Sequence, residues 1–259
     1  MDRVAAVPLA ELLDERRYLL DVACWMLGGA GAAERVVDET YRRWYGLPDA
    51  ARGRIEVPRS WLARTAGGIC LGRLTGPGPL DDAHVIAGSA DRLRNAEHPA
   101  ATLLVDHARH GVRPQPPRPV TASRHDVLAR AVREACAAQD AGLLVSLLAP
   151  DATALFDGGG KVRALARPVH GRRQVAASLL TLLALHPRTT LTAHSVNGRT
   201  GLVARYDHQV AAVISLTLTG RRITCVSIVL NPDKLRPWNR PPGCPGRPEG
   251  PSARSDGRL

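Results

Sequence analysis

Ile223-Thr224-Cys225-Val226-Ser227-Ile228-Val229-Leu230-Asn231-Pro232-Asp233-Lys234-Leu235 reads as a strand running straight into a turn. The first eight residues are largely apolar or β-branched, as a buried strand requires. Pro232 has no amide proton to give a ladder, so pairing stops and the chain leaves the sheet in a fixed direction. Upstream, Leu191–Val196, Leu202–Tyr206 and Val210–Leu218 carry the same β-branched pattern, and Thr153–Phe156 makes a short earlier strand. Residues 123–147 read as a helix pair and Gln174–Leu185 as another helix. Helices followed by a strand meander predict an α+β domain, a curved sheet with helices packed on its concave face.

The early strand ends in Asp157-Gly158-Gly159-Gly160-Lys161. Lys161 and Lys234 are the only lysines in the chain, and every other cation is arginine. Each lysine sits in a Gly or Pro turn motif. One reading is a specific ammonium contact that ties the end of the domain to its middle. The other is a tight turn with a solvated lysine at its rim. Glycines permit close backbone approach, so both motifs are expected at one edge of the domain, facing the segments that precede it. Asp157 and Asp233 would supply acceptors, Lys161 and Lys234 point charges.

The N-terminal part is helical in pattern. Residues 9–45 form two helices divided by Gly28-Gly29, and a third begins at Pro58. Residues 75–98 are polar and Gly-rich, one helix is expected over 99–112, and Pro114, Pro116, Pro117 and Pro119 make a stiff linker. The expected division is a helical domain over 1–75, a degenerate segment and linker over 76–119, the α+β domain over 120–236 and a disordered tail over 237–259.

The chain of 259 residues has a formal net charge of +11 and 3% aromatics. That balance suits a partner with phosphates or an acidic protein surface, although part of the excess follows from a composition rich in Arg, Ala, Gly and Pro. The five cysteines form no Cys-x-x-Cys pair; Cys24, Cys70, Cys136 and Cys225 read as small buried hydrophobes. No signal peptide and no apolar run of membrane-spanning length is seen, so a cytoplasmic protein without a membrane partner is expected.

The segments Glu15–Leu20, Ala23–Gly28, Ala33–Trp44, Pro58–Arg64 and Cys70–Leu74 together resemble region 2 of extracytoplasmic-function (ECF) sigma factors. With both Asp157–Lys161 and Asn231–Leu235 present, the C-terminal domain is similar to the SnoaL-like domain fused to one subgroup of them, whose fold is that of nuclear transport factor 2 (NTF2). The resemblance implies a multidomain protein whose helical domain docks on the β′ clamp of the RNA polymerase core and contacts promoter −10 DNA. It implies modulation in cis by the SnoaL-like domain, held against the sigma domains through the two motifs. Carried onto this chain, Glu34, Asp38 and Glu39 are the expected polymerase contacts, and Arg59, Trp61 and Arg64 the expected DNA contacts. Asp157, Gly158, Gly159, Gly160, Lys161, Asn231, Pro232, Asp233, Lys234 and Leu235 are the expected interdomain residues.

The departures are specific. The family's Asp-Ala-Glu-Asp string is here Ala32-Ala33-Glu34-Arg35, one acid lost and one reversed. Gly72 stands where the family has Asp, and the polar stretch after Arg64 shrinks to Thr65-Ala66-Gly67-Gly68. The family's linker motif survives only as Gly78-Pro79-Leu80. His98–Arg113 resembles only the last helix of region 4, and a helix-turn-helix needs two packed helices to present one to the major groove. DNA contact is therefore expected to be weak or non-specific, and −35 reading lost.

Other chemistries are less well supported. His194, Asp157, His170 and Tyr206 could serve acid–base work in a conical pocket, but they share no motif-level spacing, so no enzymatic activity and no cofactor is expected. His107 and His110 with Cys136 lack a further ligand pair for a metal. Trp25, Trp44 and Trp61 read as core residues rather than base-stacking platforms. A concave fold still leaves room for a small-molecule ligand. The alternative reading is a non-initiating regulatory or ligand-binding protein derived from a sigma factor.

Overall fold

The computed structural model describes residues 6–75 and 122–239. The expected region 4 remnant and Pro-rich linker, with His107 and His110, lie outside them.

The helical half holds α1 (Leu9–Leu27), α2 (Ala30–Gly46), α3 (Asp49–Gly53) and α4 (Pro58–Thr75). Gly28 stops α1 in a left-handed conformation, its N–H returning to the Cys24 carbonyl. Leu19 and Ala23 of α1, Val36, Val37 and Tyr41 of α2, and Leu62, Ala66 and Cys70 of α4 recur at helical spacing and close one core. Trp44 and Trp61 meet edge-to-face in it, ring centroids 5.4 Å apart. Two expectations fail here. Trp25 is 87% exposed and Cys24 is also exposed, because the buried stripe of α1 runs through Leu12, Glu15, Leu19 and Ala23, leaving positions 24 and 25 off the packed face.

The second half begins with α5 (Ala122–Ala137) and α6 (Ala141–Leu147), whose Asp140 cap accepts from the Leu143 amide. There follow β1 (Leu148–Asp157), β2 (Val169–His170), α7 (Arg172–Leu182), β3 (Thr189–Val196), β4 (Arg199–Tyr206), β5 (Gln209–Thr219) and β6 (Arg222–Val229). The six strands lie in the order β2-β1-β6-β5-β4-β3. All neighbours are antiparallel except β1 and β6, which run parallel with Asp157 opposite Val229. Register breaks in three of the pairs sharpen the twist and bend the sheet into a cone. Helices α5, α6 and α7 bury Leu128, Val132, Leu144, Val175 and Leu179 against one sheet face, including Leu202, Ile214 and Ile228.

The sheet's other face carries Val196, Val203, Val210 and Val213. It is covered by α8 (Pro232–Leu235) and a 3-10 turn over Arg236–Asn239, through Leu235 and Trp238. Asn239 makes two hydrogen bonds with the Val210 backbone. The expected tail from 237 is thus corrected for Pro237, Trp238 and Asn239: Trp238 supplies the apolar anchor that the local composition hides. The rest of that tail lies outside the described residues.

The two halves share a core. Leu9, Ala10 and Leu12, in the first turns of α1, belong to the same buried cluster as α5, α6, α7 and the sheet. One helix therefore seeds both cores, its beginning in the cone and its remainder in the helical bundle.

Candidate functional site

Because β1 and β6 are parallel neighbours, their C-terminal ends emerge side by side, and each ends in one of the two turn motifs. The Leu230 amide donates to the Asp157 carbonyl at 2.7 Å. The Asp157 side chain then accepts from the Gly159 amide at 3.0 Å, and Lys161 N–H closes the turn on the Gly158 carbonyl. Gly159 has φ +59°, and a Cβ there would overlap the Asn231 side chain. Asn231 caps α8 by accepting from the Asp233 amide at 3.0 Å. Pro232 occupies the first turn of that helix and Leu235 is buried beneath it.

The lysines cross over between the motifs. Lys234 Nζ donates to Asp157 Oδ2 at 2.7 Å. Lys161 Nζ lies 2.8 Å from Asp233 Oδ2 and 3.0 Å from Asp38 Oδ2 on α2. Lys161 is thus a bridge, one carboxylate from its own domain and one from the helical half. Burial alone would lower its pKa, but the hydrogen bonds that its ammonium donates to Asp233 and Asp38 outweigh it and raise the value. The Lys161 hydrogen bond holds Asp233 below the usual carboxylate range.

Further contacts extend the junction along α1 and α2. Glu15, fully buried, accepts from Arg163 Nε at 3.1 Å and from the Tyr41 hydroxyl at 3.2 Å. Arg163 also reaches Glu11 at 3.0 Å. Burial, reinforced by the nearby Glu15 charge, pushes the Tyr41 phenol up. Tyr45 offers its hydroxyl proton to the Val162 and Ala164 carbonyls at 2.7 and 3.1 Å, and burial pushes its pKa up to about 12. At the far end, the Tyr206 hydroxyl donates to Asp14 at 2.7 Å. Arg17 and Arg188 both bind Asp207, which their guanidiniums, Arg188 foremost, hold down at about 2. The acids of α1 at 11, 14 and 15 thereby meet arginines and a tyrosine of the cone.

The expected polymerase contacts fare differently from one another. Asp38 is taken by Lys161. Glu39 is shared by Arg42 and Arg43 of its own helix. Glu34 is exposed, with no ion pair among the described residues. Of the expected DNA contacts, Arg59 is exposed with its guanidinium over the Tyr18 ring at 5.1 Å. Arg64 is exposed on α4, and Trp61 is half-buried against Trp44. The acid–base candidates do not converge. Asp157 binds Lys234, His170 meets Thr153, His194 packs on Trp238, and Tyr206 binds Asp14. Burial pushes the Cys136 thiol up to about 12, and no cluster of three metal-ligating side chains occurs among the described residues. No described helix is long and apolar enough to cross a membrane.

No family model matches the chain. Probable ECF RNA polymerase sigma factor SigI of Mycobacterium tuberculosis H37Rv is 25% identical over 277 aligned positions, covering 86% of this chain and 92% of that protein. ECF RNA polymerase sigma factor SigJ of the same strain is 24% identical over 290 positions, covering 85% and 90%. The crystal structure of M. tuberculosis extracytoplasmic function sigma factor SigJ aligns with a TM-score of 0.38 at 22% identity, covering 88% of this chain and 98% of that one. Along most of its length the chain is similar in sequence to these ECF RNA polymerase sigma factors.

Proposed function

We propose that this protein is a sigma-factor-like transcription regulator whose helical half binds the RNA polymerase core and whose cone modulates that binding in cis. The observation that carries the reading is the bridge from Lys161 to Asp38. Asp38 is one of three acids expected to meet the polymerase β′ clamp, and the cone's lysine holds it. Glu39 is neutralised within α2, which leaves Glu34 as the free acid of the three among the described residues. Arg35 adds a charge opposite to the family's at the neighbouring position. Polymerase must therefore compete with the cone for part of α2, and the cone-docked chain binds it weakly.

Promoter contact is reduced by a different route, the loss of sequence-reading residues. Arg59 and Arg64 supply phosphate contacts, which position a protein on DNA without reading sequence. DNA affinity then falls steeply with salt and differs little between promoter-like and unrelated duplexes.

The test is a titration of core polymerase with the full chain and with Lys161→Ala. Freeing Asp38 should tighten binding about fivefold, the worth of a partly exposed ion pair. Equal affinity of the two proteins would refute modulation through this bridge, and no binding by either would refute polymerase recognition itself.

A further inference from the structure

A cleft of about 1180 Å³ opens between the two halves beside the junction, with Arg163 and Tyr45 of that junction in its lining. Its size lies somewhat above the range of small-molecule sites, roughly 300–1,000 Å³. One wall comes from the helical half, through Trp44, Ile55 and Pro58. The other comes from the cone, through Phe156, Leu165 and Val169. Water held between such walls is displaced favourably by an apolar occupant, at about 25 cal/mol per Å² covered.

The charges lining the cleft are unbalanced. Arg52 and Arg167 both bind one carboxylate, Asp49. Arg173, exposed on the first turn of α7, has no carboxylate partner among the described residues. Arg163, the fourth guanidinium, is already committed to Glu11 and Glu15. Three guanidiniums thus face a single acid beside an apolar wall. A neutral or cationic occupant would leave that excess uncompensated, whereas a carboxylate or phosphate head accepts guanidinium protons in charge-assisted hydrogen bonds.

We propose that this cleft binds an amphipathic anion, an apolar chain ending in a carboxylate- or phosphate-type head. The head sits among Arg52, Arg167 and Arg173 and the chain between the two apolar walls. Because the walls belong to different halves, an occupant reinforces their docking. That consequence rests on the reading that the cone acts on the helical half; the binding itself does not.

The experiment is calorimetric titration of the full chain, without polymerase, using four probes: decanoate, 1-decanol, decyltrimethylammonium and inorganic phosphate. Decanoate should bind saturably and the other three at least tenfold more weakly. Arg173→Ala, which breaks no contact seen in the described residues, should weaken decanoate about fivefold. Ala177→Trp, on the exposed lining face of α7, should abolish binding with unchanged melting. Equal binding of decanol and decanoate, binding of phosphate alone, indifference to both substitutions, or no decanoate binding would each overturn the proposal. None of these outcomes bears on polymerase modulation, which the Lys161→Ala titration decides separately.

Discussion

Replacing Arg163 by Met tests whether the junction is held by its buried ion pair. Glu15 has no solvent-exposed surface, and its partners are Arg163 Nε and the Tyr41 hydroxyl. Arg163 is itself only 14% exposed. Removing it leaves a buried carboxylate with a single phenol donor. Breaking such a pair from one side costs about 3–5 kcal/mol, and the low end applies because the Arg163 side retains some solvent. For a chain of this size about 3 kcal/mol lowers the melting temperature by roughly 6–12 °C. Glu15→Gln in the same background removes the stranded charge while the amide still accepts from Tyr41, so the double variant should regain at least half of the loss. The coupling between the two sites, read from urea unfolding of the four proteins, should exceed about 1 kcal/mol. As a contrast, Arg167→Ala removes a pair whose guanidinium is 82% exposed and should cost under about 1 kcal/mol. A melting temperature for Arg163→Met within 2 °C of wild type, or additive single and double effects, would show that the buried pair does not hold the halves together.

Arg35→Asp should tighten polymerase binding by restoring the family's acid beside Glu34; unchanged affinity in a pull-down series would mean the clamp is met elsewhere. Gly159→Ala should lower urea stability by at least about 2 kcal/mol, since the left-handed backbone alone costs about 1–2 and the methyl must also displace Asn231. Gly220→Ala shares the positive φ but meets no atom within 4 Å, so a cost there equal to that of Gly159→Ala would refute the close-approach account. Leu12→Ala should cost about 2–5 kcal/mol and lower the unfolding midpoint of the cone, because this α1 residue lies in the cone's core. An effect confined to the helical half would contradict the shared core. The junction should be insensitive to pH between 5 and 9. Asp207 and Asp233 have depressed pKa values, so their contribution is present above the ordinary 3.8 and is lost as pH falls through the folded values, to about 2 for Asp207. Lys161 is raised, so its contribution holds below 10.5 and is lost as pH rises through its folded value. A midpoint in urea titration that shifts between pH 6 and 8 would contradict this account.

The sequence determined the kinds of element and most of their places. Helical period and β-branched runs located α1, α2, α4 and strands β3 to β6, because burial on one face imposes a repeat that local reading detects. The turn motifs and their two lysines were legible for the same reason: Gly and Pro mark backbone conformations directly. What only the tertiary structure decided were partnerships across long separations. Nothing local pairs β1 in parallel with β6, yet that pairing brings residues 157 and 231 together. The partner of Lys161 on the helical half, Asp38, lies 123 positions away in sequence. The arginine partners of the acids at 11, 14 and 15 were invisible too, since charge complementarity leaves no periodic trace in a chain rich in arginine. Trp238 shows the same limit from the other side: one apolar residue in a polar stretch carries no pattern, and only the valine face of the sheet gives it a place to pack.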